Sequence, residues 1–296
     1  MPTASIRARP PRIVQSRQNA RVKELRAGFA RSAKTEHGHI AIEGENLLLE
    51  ALATGLSVPA VFIREGSEHF LSRLNLSEST ETLVLPTDVF VSAVRTESPQ
   101  GIAALIDPPG FTLDDIFNAS AIPLILIAAG LQDPGNLGTL IRSAEAFAAT
   151  GLITLSGTVS PWNQKALRAS AGSVFRLPVT ASGEDEIFTA LASRGIAALA
   201  AVAPGVAIDG QPFTRQDLTC STALILGNEG AGIPVEILRR ATARITIPTP
   251  GRVESLNAAI AGSILLYEAS RQRATARGAP SFAPSFGAEG GKAGKS

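Results

Sequence analysis

Three polar segments carry the side chains best suited to chemistry. The first, Gln132-Asp-Pro-Gly-Asn-Leu-Gly-Thr-Leu-Ile-Arg142, sets an amide, Asn136, six residues before a guanidinium, Arg142. The second, Leu226-Gly-Asn-Glu-Gly-Ala-Gly-Ile-Pro234, encloses Asn228 and the carboxylate of Glu229 among Gly227, Gly230 and Gly232. The third, Ile247-Pro-Thr-Pro-Gly-Arg-Val-Glu-Ser-Leu-Asn257, brings Ser255 and Asn257 to the start of an apolar helical run. With Glu229 inside it, the second segment suits a ligand with cationic or hydroxyl groups rather than a pyrophosphate.

Each of these residues also has a purely structural use. Asn136 suits a helix N-cap ahead of the stripe Leu137, Leu140, Ile141, Ala144 and Ala148. Arg142 falls off that stripe and is solvated, paired with Glu145, or turned to a ligand. The glycines of the second segment make either a tight turn or a close approach of backbone to a ligand, and Pro234 opens the helix that follows. Ser255 suits the N-cap of a helix through Leu256, Ile260, Ile264 and Tyr267; Asn257, in its first turn among alanines, is either tolerated or a ligand contact.

Other chemistries are excluded. Histidine occurs only at 37, 39 and 69, so no Ser-His-Asp or Cys-His machinery can form around these segments. His37-Gly-His39 lacks the thiolates or second ligand pair of a metal site, and no metal is expected. There is no phosphate-binding P-loop, and the glycines of 227–232 run in the reverse order of the dinucleotide fingerprint, with Glu229 placed to repel a pyrophosphate. The single cysteine, Cys220, precludes an internal disulfide and fits a cytoplasmic protein.

The elements that position these segments follow from apolar periodicity. From Pro123 onward, strand-like runs at Leu124–Ala128, Leu152–Leu155, Ala197–Ala201, Ala223–Leu226 and Arg244–Ile247 alternate with helical patterns, which predicts a parallel sheet covered by helices. Each polar segment follows a strand, where open α/β sheets bind ligands. Upstream, Ile40–Ile42, Pro59–Ile63, Thr82–Leu85 and Ile102–Ile106 read as strands and Asn46–Leu56 as a helix, a small α/β unit. Asp107-Pro-Pro-Gly110 interrupts regular structure, and Thr112–Asn118 carries the chain across. The expected division is 1–110, 111–275, and a disordered Gly/Ala/Pro/Ser-rich tail at 276–296.

Composition agrees with a folded protein in water: 45% of the 296 residues are hydrophobic and 18% charged. The longest apolar runs fall short of the ~20 residues of a membrane span, and the basic N-terminus lacks the apolar run of a signal peptide. Charge is uneven. Residues 1–34 hold nine Lys and Arg, among them Arg17, Arg21 and Lys23, against Glu24 alone. Such an arm attracts polyphosphate and favours a nucleic-acid partner, or else is a solvated terminus.

Taken together and in this order, the segments closely resemble the three motifs of the SpoU (TrmH-like) RNA ribose 2′-O-methyltransferases. D-P-G-N-L-G-T-L-I-R-S-A-E-A-F, L-I-L-G-N-E-G-A-G-I and I-P-T-P-G-R-V-E-S-L-N-A-A-I-A match the methyltransferase domain. I-A-I-E-G-E-N-L-L-L-E-A-L and T-E-S-P-Q-G-I-A-A-L are similar to that family's N-terminal substrate-binding domain. Thr249, Pro250 and Ala259 depart from the common pattern in the third motif.

The resemblance implies a SPOUT-type α/β domain: a parallel sheet with a C-terminal trefoil knot, preceded by a small α/β RNA-binding domain. It implies S-adenosylmethionine as cofactor, RNA as substrate and a homodimer. By the same resemblance Arg142 activates or orients the 2′-hydroxyl, while Asn136, Glu229, Ser255 and Asn257 position substrate and cofactor. Leu226, Gly227, Asn228, Gly230, Ile247, Leu256 and Asn257 then hold the cofactor. Arg168, in Lys165-Ala-Leu-Arg-Ala-Ser-Ala-Gly172, matches a further family segment and either contacts RNA or makes a surface ion pair, while the charge of the arm makes Arg17, Arg21 and Lys23 candidate RNA contacts. A separate N-terminal domain favours ribosomal RNA over tRNA. The contrasting expectations are a non-catalytic RNA-binding or ribosome-assembly factor and, more remotely, a nucleotide-binding oxidoreductase.

Overall fold

The computed structural model describes residues 10–96, 98–204, 210–253 and 255–276. The first nine residues of the basic arm, and the expected tail from 277 on, lie outside the described residues. Two sheets account for the architecture. In the first, β1 (Arg12–Ile13), β2 (Ile40–Glu43), β3 (Ala60–Arg64), β4 (Glu81–Leu85) and β5 (Ile102–Ile106) lie in the order β1-β4-β3-β5-β2. The strands β1, β4 and β3 are mutually parallel, whereas β5 runs antiparallel to both β3 and β2. Helices α1 (Ala20–Arg31), α2 (Glu45–Ala53) and α3 (Thr87–Val94) pack on this sheet.

The arm expected from charge is therefore structure from Arg12 onward. Val22, Leu25 and Phe29 of α1 are buried against Phe62, Leu83 and Phe90, so only one face of the helix is left to its cations. Burial of these large side chains, at roughly 1.5–3 kcal/mol each, is what binds α1 down. Arg21 is tied to Glu81 at 2.9 Å and to the buried Glu24 at 3.1 Å. Although burial pushes the Glu24 carboxyl upward, hydrogen bonds from His39, Thr35 and Arg21 hold it below the usual range.

After α4 (Leu113–Asn118), whose Thr112 and Asp115 form a reciprocal capping box, the chain enters the second sheet. Its strands are β6 (Leu124–Ala129), β7 (Gly151–Thr154), β8 (Val179–Ala181), β9 (Ala197–Ala201), β10 (Gln211–Pro212), β11 (Thr222–Gly227) and β12 (Ala243–Thr246). All pairings are parallel, in the order β10-β12-β9-β11-β6-β7-β8. The central β6 is buried along its whole Leu-Ile-Leu-Ile-Ala-Ala run, as expected of a parallel strand covered on both faces. The expected strands thus appear within a residue or so, while β1, β8 and β10 were not marked by any apolar pattern.

The covering helices are α5 (Pro134–Ala146), α6 (Gln164–Ser170), α7 (Glu184–Ser193), α8 (Val235–Arg240) and α9 (Ala258–Ala276). The α5 stripe buries Leu137, Leu140, Ile141 and Ala144, but Ala148 lies beyond the helix at a positive φ of 56° and is exposed; Ala149 is buried in its place. On another side α5 meets α6 so closely that a Cβ on Gly138 would stand 2.3 Å from the Ala166 carbonyl oxygen. On a third, Ser143 and Ser263 share a hydroxyl hydrogen bond of 2.8 Å with α9. Arg273 staples the far end of α9 to the sheet, donating to the carbonyls of Leu218, Ile122 and Cys220 at 2.6–2.8 Å. Among the described residues, no helix is long and apolar enough to cross a membrane.

Candidate active site

The three polar segments follow the C-terminal ends of β6, β11 and β12 and converge there. Two sequence expectations about their caps need correction. Asp133, not Asn136, caps α5: its carboxylate accepts from Gly135 N at 2.5 Å and from Asn136 N at 3.2 Å. The reason is Pro134, which occupies the first helical position and so fixes the cap one residue earlier. A hydrogen bond from Lys165 Nζ, at 3.0 Å, holds the Asp133 carboxyl below its ordinary value. Likewise Asn257, not Ser255, caps α9, accepting from Ala259 N at 3.0 Å and Ile260 N at 3.2 Å. Asn257 therefore stands just ahead of the helix rather than inside its first turn.

Freed from capping, the Asn136 side chain links the other two segments. Asn257 Nδ2 donates to Asn136 Oδ1 at 3.0 Å, and Asn136 Nδ2 donates to the Glu229 carboxylate. One chain of hydrogen bonds thus joins residues 93 and 121 positions apart in sequence. It is anchored at a helix cap, a first helical turn and a glycine loop, and it lies open to solvent.

The glycine loop is organised by Asn228. Its backbone exchanges two hydrogen bonds of 2.9 Å with Gly232, its Oδ1 accepts from Gly230 N and Ala231 N at 2.9 Å, and its Nδ2 donates to the Gly130 carbonyl at 3.1 Å. The side chain shapes the loop and has little hydrogen-bonding capacity left for a ligand. Gly227 is where the loop closes on itself: a Cβ there would lie 2.4–2.5 Å from backbone atoms of Gly232 and Ile233.

Behind this network is a cavity of about 400 Å³, lined by Leu226 to Ile233, Ile247, Thr249, Ser255, Leu256, Ala258 and Ala261. Its size and its apolar walls with a polar loop rim suit a small-molecule cofactor. Of the residues expected to hold the cofactor, Leu226, Gly227, Asn228, Gly230, Ile247 and Leu256 line it and Asn257 does not; Glu229 and Ser255 line it as well. The adenosine and methionine parts of S-adenosylmethionine fit this setting: aliphatic side chains for the apolar face, backbone of the loop for the polar edge. A further wall, Ala201 to Pro204 after β9, carried no sequence signal, because it contributes backbone and small side chains. Asn136 and Asn257 stand at the cavity's edge through Glu229 and Ala258.

Arg142 is placed differently. It is exposed on α5, outside the cavity's lining, and among the described residues its side chain has no partner; Glu145 instead pairs with Arg176 at 2.5 Å. Arg168 and Lys23 are exposed, and Arg17 holds Asp88 at 2.7 Å. Among the described residues no group of His, Cys, Asp or Glu side chains could hold a metal ion.

Comparison with known proteins agrees with the geometry. Residues 123–267 match the SpoU rRNA Methylase family, and residues 19–104 match an MRM3-like substrate binding domain. The chain is 32% identical to the 23S rRNA (guanosine(2553)-2′-O)-methyltransferase of Bacillus subtilis over 86% of its own length and 97% of the relative's. It is 30% identical to the 23S rRNA (uridine(2479)-2′-O)-methyltransferase of Streptomyces viridochromogenes, covering 88% and 92%. The crystal structure of an S-adenosylmethionine-bound rRNA methyltransferase from Sinorhizobium meliloti superposes with a TM-score of 0.76 at 29% identity, over 88% of this chain and 98% of that one. With the three motifs joined at a cavity that fits the cofactor, the chain belongs to the SpoU rRNA methylase family and is an S-adenosylmethionine-dependent RNA ribose 2′-O-methyltransferase.

Proposed function

We propose that the substrate is ribosomal RNA and that the enzyme works as a homodimer in the cytoplasm. The observation that carries the catalytic reading is the hydrogen-bonded line Asn257–Asn136–Glu229 at the mouth of the cavity. The 23S rRNA activities of the two relatives favour ribosomal RNA over tRNA. Residues 1–110 bind the substrate and residues 111–275 hold the cofactor and the chemistry, with a trefoil knot near the C-terminus of this second unit.

The cofactor supplies an electrophilic methyl group on its sulfonium. What remains for the protein is to seat the ribose in line with that methyl, let the hydroxyl proton go, and steady the oxygen as its charge grows. Glu229 and the two asparagines fix the ribose and the cavity rim. Arg142 orients the 2′-hydroxyl, helped by the phosphate of the substrate. Its distance from the cavity of its own chain is accounted for by the dimer. Arg142 lies one turn from Thr139, which borders an exposed apolar groove with Phe147, Ile260, Ile264 and Tyr267. A second copy covering that groove excludes its apolar surface from water and sets α5 of each protomer against the other.

Incubation with labelled S-adenosylmethionine and, side by side, unmodified ribosomal RNA and unmodified tRNA tests the substrate. Label is expected in the large ribosomal RNA; label in tRNA alone would overturn the assignment. Sedimentation equilibrium of the same protein should give twice the monomer mass.

A further inference from the structure

The cations of the N-terminal sheet divide into those already held and those left over. Arg12 and Arg21 face Glu81, Arg17 holds Asp88 and Arg73 reaches Glu45. Lys34 and Arg168 are exposed, and among the described residues their side chains enter no hydrogen bond or ion pair. Among the described residues Arg31 meets only Glu36, at 3.7 Å, and both are well exposed.

The fold brings Arg31, Lys34 and Arg168 to one place. Ser32 ends α1, and Asn163, the cap of α6, donates to its hydroxyl at 3.4 Å. The next residue, Gln164, donates at 2.8 Å to the Ala41 carbonyl on β2, the edge strand of the first sheet. Lys34 follows Ser32 by two residues, and Arg168 stands one turn beyond Gln164 on the same face of α6. Both therefore stand at the seam between the two sheets. Across the tight α5–α6 contact at Gly138, Arg142 lies one turn further along α5. Arg31, Lys34, Arg168 and Arg142 thus run from the first sheet, over the seam, to the helix of the first motif.

We propose that this strip is a phosphate track: the sugar-phosphate backbone of the substrate RNA crosses the seam over Lys34 and Arg168, not along Arg17 and Arg21. A solvated, unpaired cation gives up only counterions to meet a phosphate, whereas Arg17 and Arg21 must first surrender carboxylates. This rests on the RNA methyltransferase reading above and adds to it where the RNA lies.

The test is equilibrium binding of unmodified in vitro 23S ribosomal RNA to the full chain across a salt series, for the wild type, K34Q/R168Q and R73Q. All three should bind S-adenosylmethionine alike. K34Q/R168Q should bind RNA roughly tenfold or more weakly at low salt, with the slope of log affinity against log salt reduced by about 1.4, for two lost phosphate contacts. R73Q should match the wild type. Equal affinity and slope for K34Q/R168Q and a wild type that binds and methylates RNA would overturn the track alone. An equal loss in R73Q would also overturn it, as an effect of overall charge. A wild type that binds no RNA would overturn both the track and the reading beneath it.

Discussion

Replacing Arg142 by alanine is expected to leave a folded, cofactor-binding dimer that transfers methyl groups roughly 10² to 10⁴ times more slowly, the range for loss of one acid-base or oxyanion-stabilising group. The fold should not notice. Arg142 is exposed, lies off the buried stripe of Leu137, Leu140, Ile141 and Ala144, and among the described residues supports no ion pair. Arg142→Lys should recover little of the rate, since an ammonium cannot hold hydroxyl and phosphate in one planar fork. Single-turnover transfer at saturating RNA and cofactor separates chemistry from binding. A near-wild-type rate for R142A would return Arg142 to the role of a surface residue.

The second large effect is expected at Gly227. A methyl group there would meet the carbonyl carbon and oxygen of Gly232 and the nitrogen of Ile233 at 2.4–2.5 Å, all of them backbone. Backbone cannot swing aside as a side chain can, so the loop from Asn228 to Gly232 must open. Overpacking of this kind costs about 1–3 kcal/mol. Charged against the loop conformation that walls the cavity, it corresponds to S-adenosylmethionine binding weakened by roughly 5- to 150-fold in Gly227→Ala. Titration calorimetry reads this directly. Gly230→Ala is the control, because the nearest atom to its added Cβ is Asn228 Oδ1 at 3.6 Å. Equal affinities for the two variants would mean that the close approach at Gly227 does not shape the site.

Much of this was legible in the chain itself. The uninterrupted apolar runs at 124–129 and 223–226 announce buried parallel strands, and the polar segments after them announce where a ligand sits. What misled was choosing caps by residue type. Asn136 and Ser255 are both good caps, but Pro134 moved the first cap to Asp133, and Asn257 took the second. The correction matters because it leaves the Asn136 amide free to join Glu229 and Asn257. That meeting depends on the packing of α5 against α9 and on the return of the glycine loop, which no local pattern encodes. The ion pair of Arg21 with Glu81 was hidden for the same reason, the partner being 60 residues away. The Ala201–Pro204 wall was hidden for another: backbone and methyl groups leave no distinctive residue to notice.

The cavity and its hydrogen-bonded rim serve the methylation of a ribose oxygen rather than of a base. Ribosomal RNA labelled by the enzyme from S-adenosylmethionine, then hydrolysed in alkali, tests it most directly. Cleavage requires a free 2′-hydroxyl beside the phosphate, so a methylated ribose leaves its linkage intact. The label is expected in an alkali-resistant dinucleotide. Recovery in ordinary mononucleotides, with the methyl group on a base, would contradict it.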